Sequence, residues 1–278
     1  MQDIRKFAFE DEKPIIGVVH LDPLPGSPNY RGDFNEIIDK AIRDVRSYYE
    51  GGVRYVLIEN YGDMPFRIRV KEVETIVAMT IIVRDIIREI GDDLVVGVNL
   101  LRNSAPEAIV IAALTGASFI RVNALCQTID APEGILYPVA RDVADVMYRL
   151  RVSPDEIKIL ADVNVKHGSP LSKRSLEDVV LDTIERGKAY AVVLTGSRTG
   201  EPPDISLVSR VKSMNVRVFI GSGMTPKRLK KYWRLADGFI IGTYFKEDHI
   251  IRNPVDMENV RKIVRVYKDL LKTARDSP

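Results

Sequence analysis

The chain lacks several features that would place it in a class at once. Cys126 is the only cysteine among 278 residues, so neither an intrachain disulfide nor a cysteine-rich metal site can form, and a reducing compartment fits best. No segment approaches the run of about 18 apolar residues that a membrane span needs. The charged N-terminus, residues 1–13, also lacks the apolar run of a signal peptide. We therefore expect a cytoplasmic protein with no membrane span.

The chain also has a small net charge and few glutamines. The formal net charge is only +2 although 29% of the residues are charged, and such a mixed surface argues against a nucleic-acid partner. Glutamine occurs only at Gln2 and Gln127, while isoleucine, arginine, lysine and glutamate are plentiful. That composition is typical of a thermophile.

Eight short apolar runs, rich in valine and isoleucine, alternate with segments of helical spacing. Such runs are typical of strands that are covered on both faces. The predicted strands are 15–20, 55–60, 95–99, 119–123, 157–163, 189–195, 216–220 and 238–241, and the predicted helices are 34–49, 70–90, 105–114, 139–150, 176–186, 205–211, 226–235 and 257–273. Strict alternation implies parallel strands joined by right-handed crossovers. The pattern predicts an α/β protein, a single (β/α)8 TIM barrel over residues 1–278.

The last two predicted strands both end in glycine. Gly221, Ser222 and Gly223 follow the seventh strand, and Gly242 and Thr243 follow the eighth. Glycine lets a phosphate approach backbone N–H groups and the start of the next helix, and TIM barrels often bind phosphate after strands seven and eight. We predict that these five residues bind phosphate. The alternative is that the glycines only tighten the turn before a helix.

Polar side chains follow the other strands, where a barrel carries its active site. The candidate catalytic residues are His20, Glu59, Asp162 and Lys166, and the candidate substrate-binding residues are Asn60, Asn99, Arg102, Asn123, Asn164 and His167. A ring of this kind is costly to assemble unless a ligand meets it. The alternatives are that His20 is a satisfied core histidine and that Asn99 and Asn123 only cap loops.

Alternation along the fifth predicted strand decides which way its polar residues point. Asp162, Asn164 and Lys166 share one side, and we expect them to face the barrel mouth while Val163 and Val165 face the helices. Asp162 and Glu59 are then the candidates for a general base.

Lys166 leaves three interpretations open. It can form a Schiff base with a carbonyl substrate if burial lowers its pKa, or it can stay charged and hold a phosphate or carboxylate. It can also form a structural ion pair with Glu59 or Asp162. A tight zinc site is not expected, because the only histidines are His20, His167 and His249. Glu59, Asp162 and a substrate phosphate leave room for Mg²⁺, which needs few protein ligands.

Seven stretches of the chain resemble the BtpA/SgcQ family. They are GVVHLDPLPGSP (17–28), ENYGDMPF (59–66), GVNLLRN (97–103), FIRVN (119–123), ADVNVKH (161–167), TGSRTGEPPD (195–204) and GSGMTP (221–226). The resemblance implies a barrel of the ribulose-phosphate-binding type. One branch of the family is known as a factor for photosystem I biogenesis. Members of that family often carry histidine where this chain has Asn164, so the resemblance carries no imidazole role over to that position.

Two classes of function fit this sequence. The first is an enzyme that acts on a small phosphorylated metabolite as a lyase, an isomerase or a related catalyst. The second is a non-catalytic assembly or stabilising factor of the photosystem I biogenesis type. We favour the enzyme, because a scaffold would expose an apolar patch rather than line a barrel mouth with ionisable groups. We also expect a homo-oligomer.

Overall fold

Eight parallel strands close into a barrel, and a helix follows each of them. The structure is a computed structural model and describes residues 9, 13–196 and 200–275; residues 197–199 of the motif at 195–204 lie outside the described residues. The elements are β1 (Ile15–His20), α1 (Phe34–Gly51), β2 (Tyr55–Glu59), α2 (Val73–Ile90), β3 (Val95–Asn99), α3 (Ala105–Thr115), β4 (Phe119–Val122), β5 (Ile129–Ala131), β6 (Gly134–Leu136), α4 (Ala140–Leu150), β7 (Lys158–Asn164), β8 (Ser169–Pro170), α5 (Leu176–Glu185), β9 (Ala191–Leu194), α6 (Ile205–Lys212), β10 (Val218–Ile220), α7 (Pro226–Tyr232), β11 (Gly238–Ile241) and α8 (Met257–Arg275). The barrel order is β1, β2, β3, β4, β7, β9, β10 and β11, which closes on β1. The predicted TIM barrel is confirmed.

Alternation along each strand separates two apolar cores. Outward residues such as Val56 and Ile58 pack against the helices, while inward residues such as Leu57 and Phe219 fill the barrel. Phe9 packs beneath this filling, with ring centroids 5.1–5.7 Å from those of Tyr55, Phe119, Tyr190 and Phe219. The N-terminal end of the barrel is therefore apolar, which leaves polar inward positions to the opposite end.

Side-chain caps set several helix starts. The carboxylates of Asp33 and Asp204 accept backbone N–H groups at the starts of α1 and α6, and the hydroxyls of Ser175 and Thr225 do so at α5 and α7. Such caps satisfy N–H groups that a helix leaves without partners. The turn after β10 thus ends at a fixed position.

A small second sheet was not predicted. Strands β5 and β6 form an antiparallel hairpin within the β4–α4 connection, and β5 also pairs with β8, which follows β7. These strands have only two or three residues each, too few to show alternation in the sequence. The sheet lies over the barrel mouth and links the segments that follow β4 and β7.

The end of β7 differs from the expected alternation. Asp162 and Asn164 pair with the adjacent residues Val193 and Leu194 of β9, so β7 carries one extra residue there. Val163 packs toward the helices as predicted. The prediction for Val165 is wrong, because Val165 packs under the small sheet with Ile129 and Leu136.

Most predicted bounds agree with the structure to within three residues. Helix α2 begins at Val73 rather than Val70, α7 ends at Tyr232 rather than Leu235, and β9 and β10 each begin two residues later than predicted. In the described part of the chain, no helix combines the length and the apolar character that crossing a bilayer requires.

Candidate functional site

Polar side chains occupy the top inward layer of the barrel. His20, Glu59 and Asn99 stand in register at the ends of the adjacent strands β1, β2 and β3. Alternation directs them inward, because Val18, Leu57 and Val95 of the same strands lie in the barrel core. The sequence thus places a charged layer directly above an apolar one.

Asp162 lies in this layer but is fully engaged by neighbouring side chains. Its Oδ1 accepts a hydrogen bond from Arg121 Nη2 (2.9 Å), and its Oδ2 accepts from Arg121 Nε (3.1 Å) and Asn123 Nδ2 (2.6 Å). Burial alone would lower the pKa of Arg121, but the charge of Asp162 and its hydrogen bonds raise it. Asp162 does not line the cavities described below. Its geometry therefore suits a positioning residue rather than a base that contacts substrate.

Glu59, unlike Asp162, keeps an available oxygen. Its Oε2 accepts a hydrogen bond of 2.5 Å from Asn99 Nδ2. Its Oε1 lies 3.9 Å from His20 Nε2 and accepts no hydrogen bond from the described residues. Glu59 can therefore accept a proton from a bound ligand.

His20 is held in its neutral form. Burial lowers its pKa well below 6.5, and the charges of Lys246, Lys166 and Arg121 lower it further. Its Nδ1 is buried and has no hydrogen-bond partner among the described residues. The ring also contacts Tyr61 edge-on, with centroids 5.1 Å apart.

Lys166 follows β7 and reaches the same space. Its carbonyl oxygen accepts a hydrogen bond from Arg102 Nη2 (2.8 Å), which fixes the backbone. Burial lowers its pKa and Arg121 lowers it further, while Glu59 and Asp162 oppose the shift. Among the described residues no carboxylate lies within ion-pair distance of its ammonium group, so the structural pair with Glu59 or Asp162 is not formed.

Two adjoining cavities open at the barrel mouth, and Glu59, Arg121 and Lys166 line both. The first, about 200 Å³, extends to the loops after β10 and β11. The second, about 260 Å³, extends beneath the small sheet to Asn99 and Arg102. We call the three shared residues the seam. A ligand that fills both cavities must pass over the seam.

The first cavity is lined by all five predicted phosphate-binding residues. Within the described ranges, the backbone N–H groups of Ser222, Gly223, Gly242 and Thr243 donate no hydrogen bond. The Ser222 hydroxyl instead donates to the carbonyl oxygen of Glu201 (2.5 Å). The donors available to an anion here therefore include backbone amides.

The predicted substrate-binding residues divide into two groups. Asn99, Arg102, Asn123 and His167 line the second cavity. Asn60 does not, because its side chain binds Asp63 and the backbone N–H of Leu101. The side chain of Asn164 lies outside what the structure describes.

Sequence reasoning assigned no role to Arg121 or Glu133. Arg121 belongs to the seam, and Glu133 lies in the β5–β6 turn with its Oε2 3.3 Å from Arg102 Nε. Arg121 follows the inward alternation of β4, so its position could have been read from the sequence. No sequence signal marks Glu133, because its hairpin is too short to recognise.

Magnesium fits poorly between Glu59 and Asp162. The Asp162 oxygens already accept three hydrogen bonds, two of them from a guanidinium group. A cation there would lie against Arg121. No cluster of three or more histidine, cysteine, aspartate or glutamate side chains suited to a metal ion occurs in the described part of the chain.

Comparison with known proteins agrees with this architecture. The sequence profile of the BtpA family matches residues 11–269. The chain belongs to the BtpA family. An uncharacterized protein of Pyrococcus abyssi is 44% identical over 259 residues, which cover 93% of this chain and 97% of that protein. The photosystem I biogenesis protein BtpA of Synechocystis is 35% identical over 271 residues, covering 95% and 91%.

Solved barrels are similar to this BtpA-family chain in fold. KGPDC from Streptococcus mutans has a TM-score of 0.59 at 14% identity, with 94% of this chain and 100% of that chain covered. Phosphoribosyl anthranilate isomerase from Thermus thermophilus has a TM-score of 0.55 at 11% identity, with 92% and 99% covered. At these identities the similarity shows the fold alone.

Proposed function

We propose that this protein is an enzyme that binds a small phosphorylated metabolite and catalyses proton transfer on it, as a lyase or an isomerase does. The observation that carries this proposal is the seam. A carboxylate with an available oxygen and a buried lysine lie together there, next to four backbone amides. Within the part of the chain that the structure describes, the lysine has no ion-pair partner and the amides donate no hydrogen bond.

Each part has a role in this proposal. The amides after β10 and β11 hold the phosphate, since backbone N–H groups are good anion ligands. Glu59 acts as the general base, and Lys166 stabilises the negative charge that develops on the substrate. Asp162 holds Arg121 and Asn123 in position. The names of the similar barrels are consistent with a phosphorylated ligand, and one is KGPDC in complex with D-R5P.

A substitution at Gly242, in the first cavity, can test the proposed phosphate-binding site. The atoms nearest to a Cβ added at Gly242 belong to the side chains of His20 (Cε1 at 2.7 Å) and Val18, so alanine there intrudes on side chains at the cavity. Gly223 is less suitable because it has φ +74°, and an added Cβ would lie 2.2 Å from the backbone nitrogen of Pro202. A larger residue at Gly223 would therefore disturb the fold as well as the cavity.

The test is exchange of carbon-bound hydrogen. With ribulose 5-phosphate or ribose 5-phosphate in D₂O, we expect NMR to show deuterium entering at the carbon next to the carbonyl. Glu59→Gln should slow exchange by at least 100-fold, in the range of lost general-base catalysis, while calorimetry shows phosphate-ester binding retained. Gly242→Ala should weaken that binding at least tenfold.

Lys268→Met is the control, because Lys268 is exposed on α8 and lines neither cavity. It should match the parent protein in both measurements. Absence of exchange in the parent protein with a panel of phosphorylated aldoses and ketoses, or full exchange in Glu59→Gln, would contradict the proposed chemistry.

A non-catalytic assembly or stabilising role is the second candidate, and one surface feature favours it. Val73, Val77 and Ile81 lie four residues apart on α2 and are all exposed, so they form one apolar stripe on the helix surface. Val77→Glu should abolish partner or self-association under this alternative, measured by light scattering, and leave phosphate binding unchanged.

A further inference from the structure

The second cavity has a largely apolar wall. That wall is formed by Tyr61, Met64, Phe66, Leu101, Pro132 and Val165. Tyr61 and Phe66 pack edge to face with their ring centroids 6.4 Å apart, and both remain only half-buried. The wall therefore presents aromatic and aliphatic surface that a bound molecule would remove from water.

Hydrogen bonds hold this wall open. Asp63 accepts the backbone N–H of Leu24 through Oδ1 (2.8 Å) and the side chain of Asn60 through Oδ2 (2.8 Å). Asn60 Oδ1 in turn accepts the backbone N–H of Leu101 (2.7 Å). These bonds tie the Tyr61 turn to the β1 and β3 loops, so the apolar side chains are fixed around the cavity instead of collapsing into it. A preformed apolar site favours a rigid ligand.

The opposite side of the cavity is polar. Lys166 and Glu59 of the seam lie on that side, and Glu133 lies at the hairpin turn. The Oε2 atom of Glu133 is buried and accepts no hydrogen bond among the described residues, since its 3.3 Å approach to Arg102 Nε is not aligned for one. A flat ring with N–H or O–H groups at its edge would match both sides, with its face on the aromatic wall and its edge toward Glu133.

We propose that the ligand is a phosphorylated pentose linked to a planar ring, with the phosphate in the first cavity, the pentose over the seam and the ring in the second cavity. This inference rests on the proposed function, because the phosphate position orients the ligand. An open-chain sugar phosphate would leave the apolar wall uncovered.

Calorimetry with matched probes tests this inference. Ribose 5-phosphate carries no ring, while adenosine 5′-monophosphate and uridine 5′-monophosphate add a planar base to the same phosphorylated pentose. We expect at least one nucleotide to bind ten or more times tighter than ribose 5-phosphate. Phe66→Ala should remove that advantage and change the affinity for ribose 5-phosphate less than twofold. Met64→Ala, on the same wall, gives a second variant should Phe66→Ala fail to fold.

Tyr137→Ala is the control, because Tyr137 is an exposed aromatic residue outside the cavity. It should leave every affinity unchanged. Nucleotides that bind no tighter than ribose 5-phosphate would overturn the inference, as would a wall variant that weakens all probes equally. The phosphate anchor would survive either result if Gly242→Ala still weakened ribose 5-phosphate binding. If inorganic phosphate fails to compete with any probe, the proposed function fails and this inference fails with it.

Discussion

Two carboxylates at the barrel mouth differ in what they can do because of their partners. Asp162 accepts three hydrogen bonds and lies behind Arg121. Glu59 accepts one and keeps Oε1 open to the cavity. A general base needs an accessible lone pair in reach of the substrate. Glu59 meets that requirement, and Asp162 supports the side chains around it.

His20 makes stability depend on pH. Its folded-state pKa is lowered by burial and by nearby cations, whereas the unfolded chain has the ordinary value of about 6.5. Below that pH, His20 binds a proton in the unfolded state but stays neutral in the folded state. The stability contributed by neutral His20 is therefore present above pH 6.5 and lost as the pH falls toward the folded-state pKa.

We expect His20→Gln to lose less free energy of unfolding than the parent protein between pH 7 and pH 5, measured by guanidinium denaturation. Burial raises the pKa of Asp63 to about 6, which acts in the opposite direction, but this contribution cancels between the two proteins. Leu114→Gln, at an exposed position that carries no titratable group, is the control and should follow the parent curve. Identical curves for His20→Gln and the parent protein would contradict this assignment.

Individual side-chain directions were only partly predictable from the sequence. Alternation placed Glu59 and Asp162 inward, because inward and outward positions differ in every barrel strand. It could not show that Arg121 neutralises Asp162, since that pair forms between neighbouring strands. Nor could it show that the Ser222 hydroxyl donates to the carbonyl oxygen of Glu201, because that hydrogen bond depends on how two loops pack together.

At the scale of elements, the small sheet is what the sequence did not reveal. The eight barrel strands were predictable because strands buried on both faces need continuous apolar runs rich in valine and isoleucine. Strands β5, β6 and β8 bury little and carry no such run. The extra residue in β7 left no signal in the sequence either. Without it, the alternation along β7 predicted the wrong direction for Val165.

Leu136 tests whether this sheet behaves as a separate unit. It is fully buried in a cluster with Ala124, Ile129 and Val165, so Leu136→Ala should lower the free energy of unfolding by about 2 kcal/mol. Hydrogen exchange should accelerate mainly in residues 124–136 and 165–170.

Leu57→Ala is the matched change, because Leu57 is equally buried but lies inside the barrel. It should accelerate exchange in the barrel strands. A uniform acceleration across the barrel in Leu136→Ala would show that the sheet has no local stability of its own.

On the scale of the whole molecule, the two ends of the barrel serve different purposes. The N-terminal end is closed by Phe9 among four rings, and the C-terminal end carries the seam. In TIM barrels the first end is associated with stability and the second with chemistry.

Phe9→Ala should therefore lower the free energy of unfolding by about 3 kcal/mol and leave the calorimetric affinity for inorganic phosphate unchanged at a temperature where the variant is folded. Tyr148→Ala removes an aromatic ring that is 85% exposed and should change neither quantity. Loss of phosphate affinity in folded Phe9→Ala would show that the two ends are coupled.

The N–H groups after β10 and β11 that donate no hydrogen bond among the described residues belong to the main chain, and this has a consequence for how such a protein diverges. Replacing a side chain on the rim changes the chemistry available at the seam but leaves a backbone amide in place. Proteins that descend from one ancestral barrel can therefore differ in their rim side chains while they keep the same backbone N–H groups. Under the proposed function, divergence in this lineage is expected to alter the reaction sooner than it alters the binding of the phosphate.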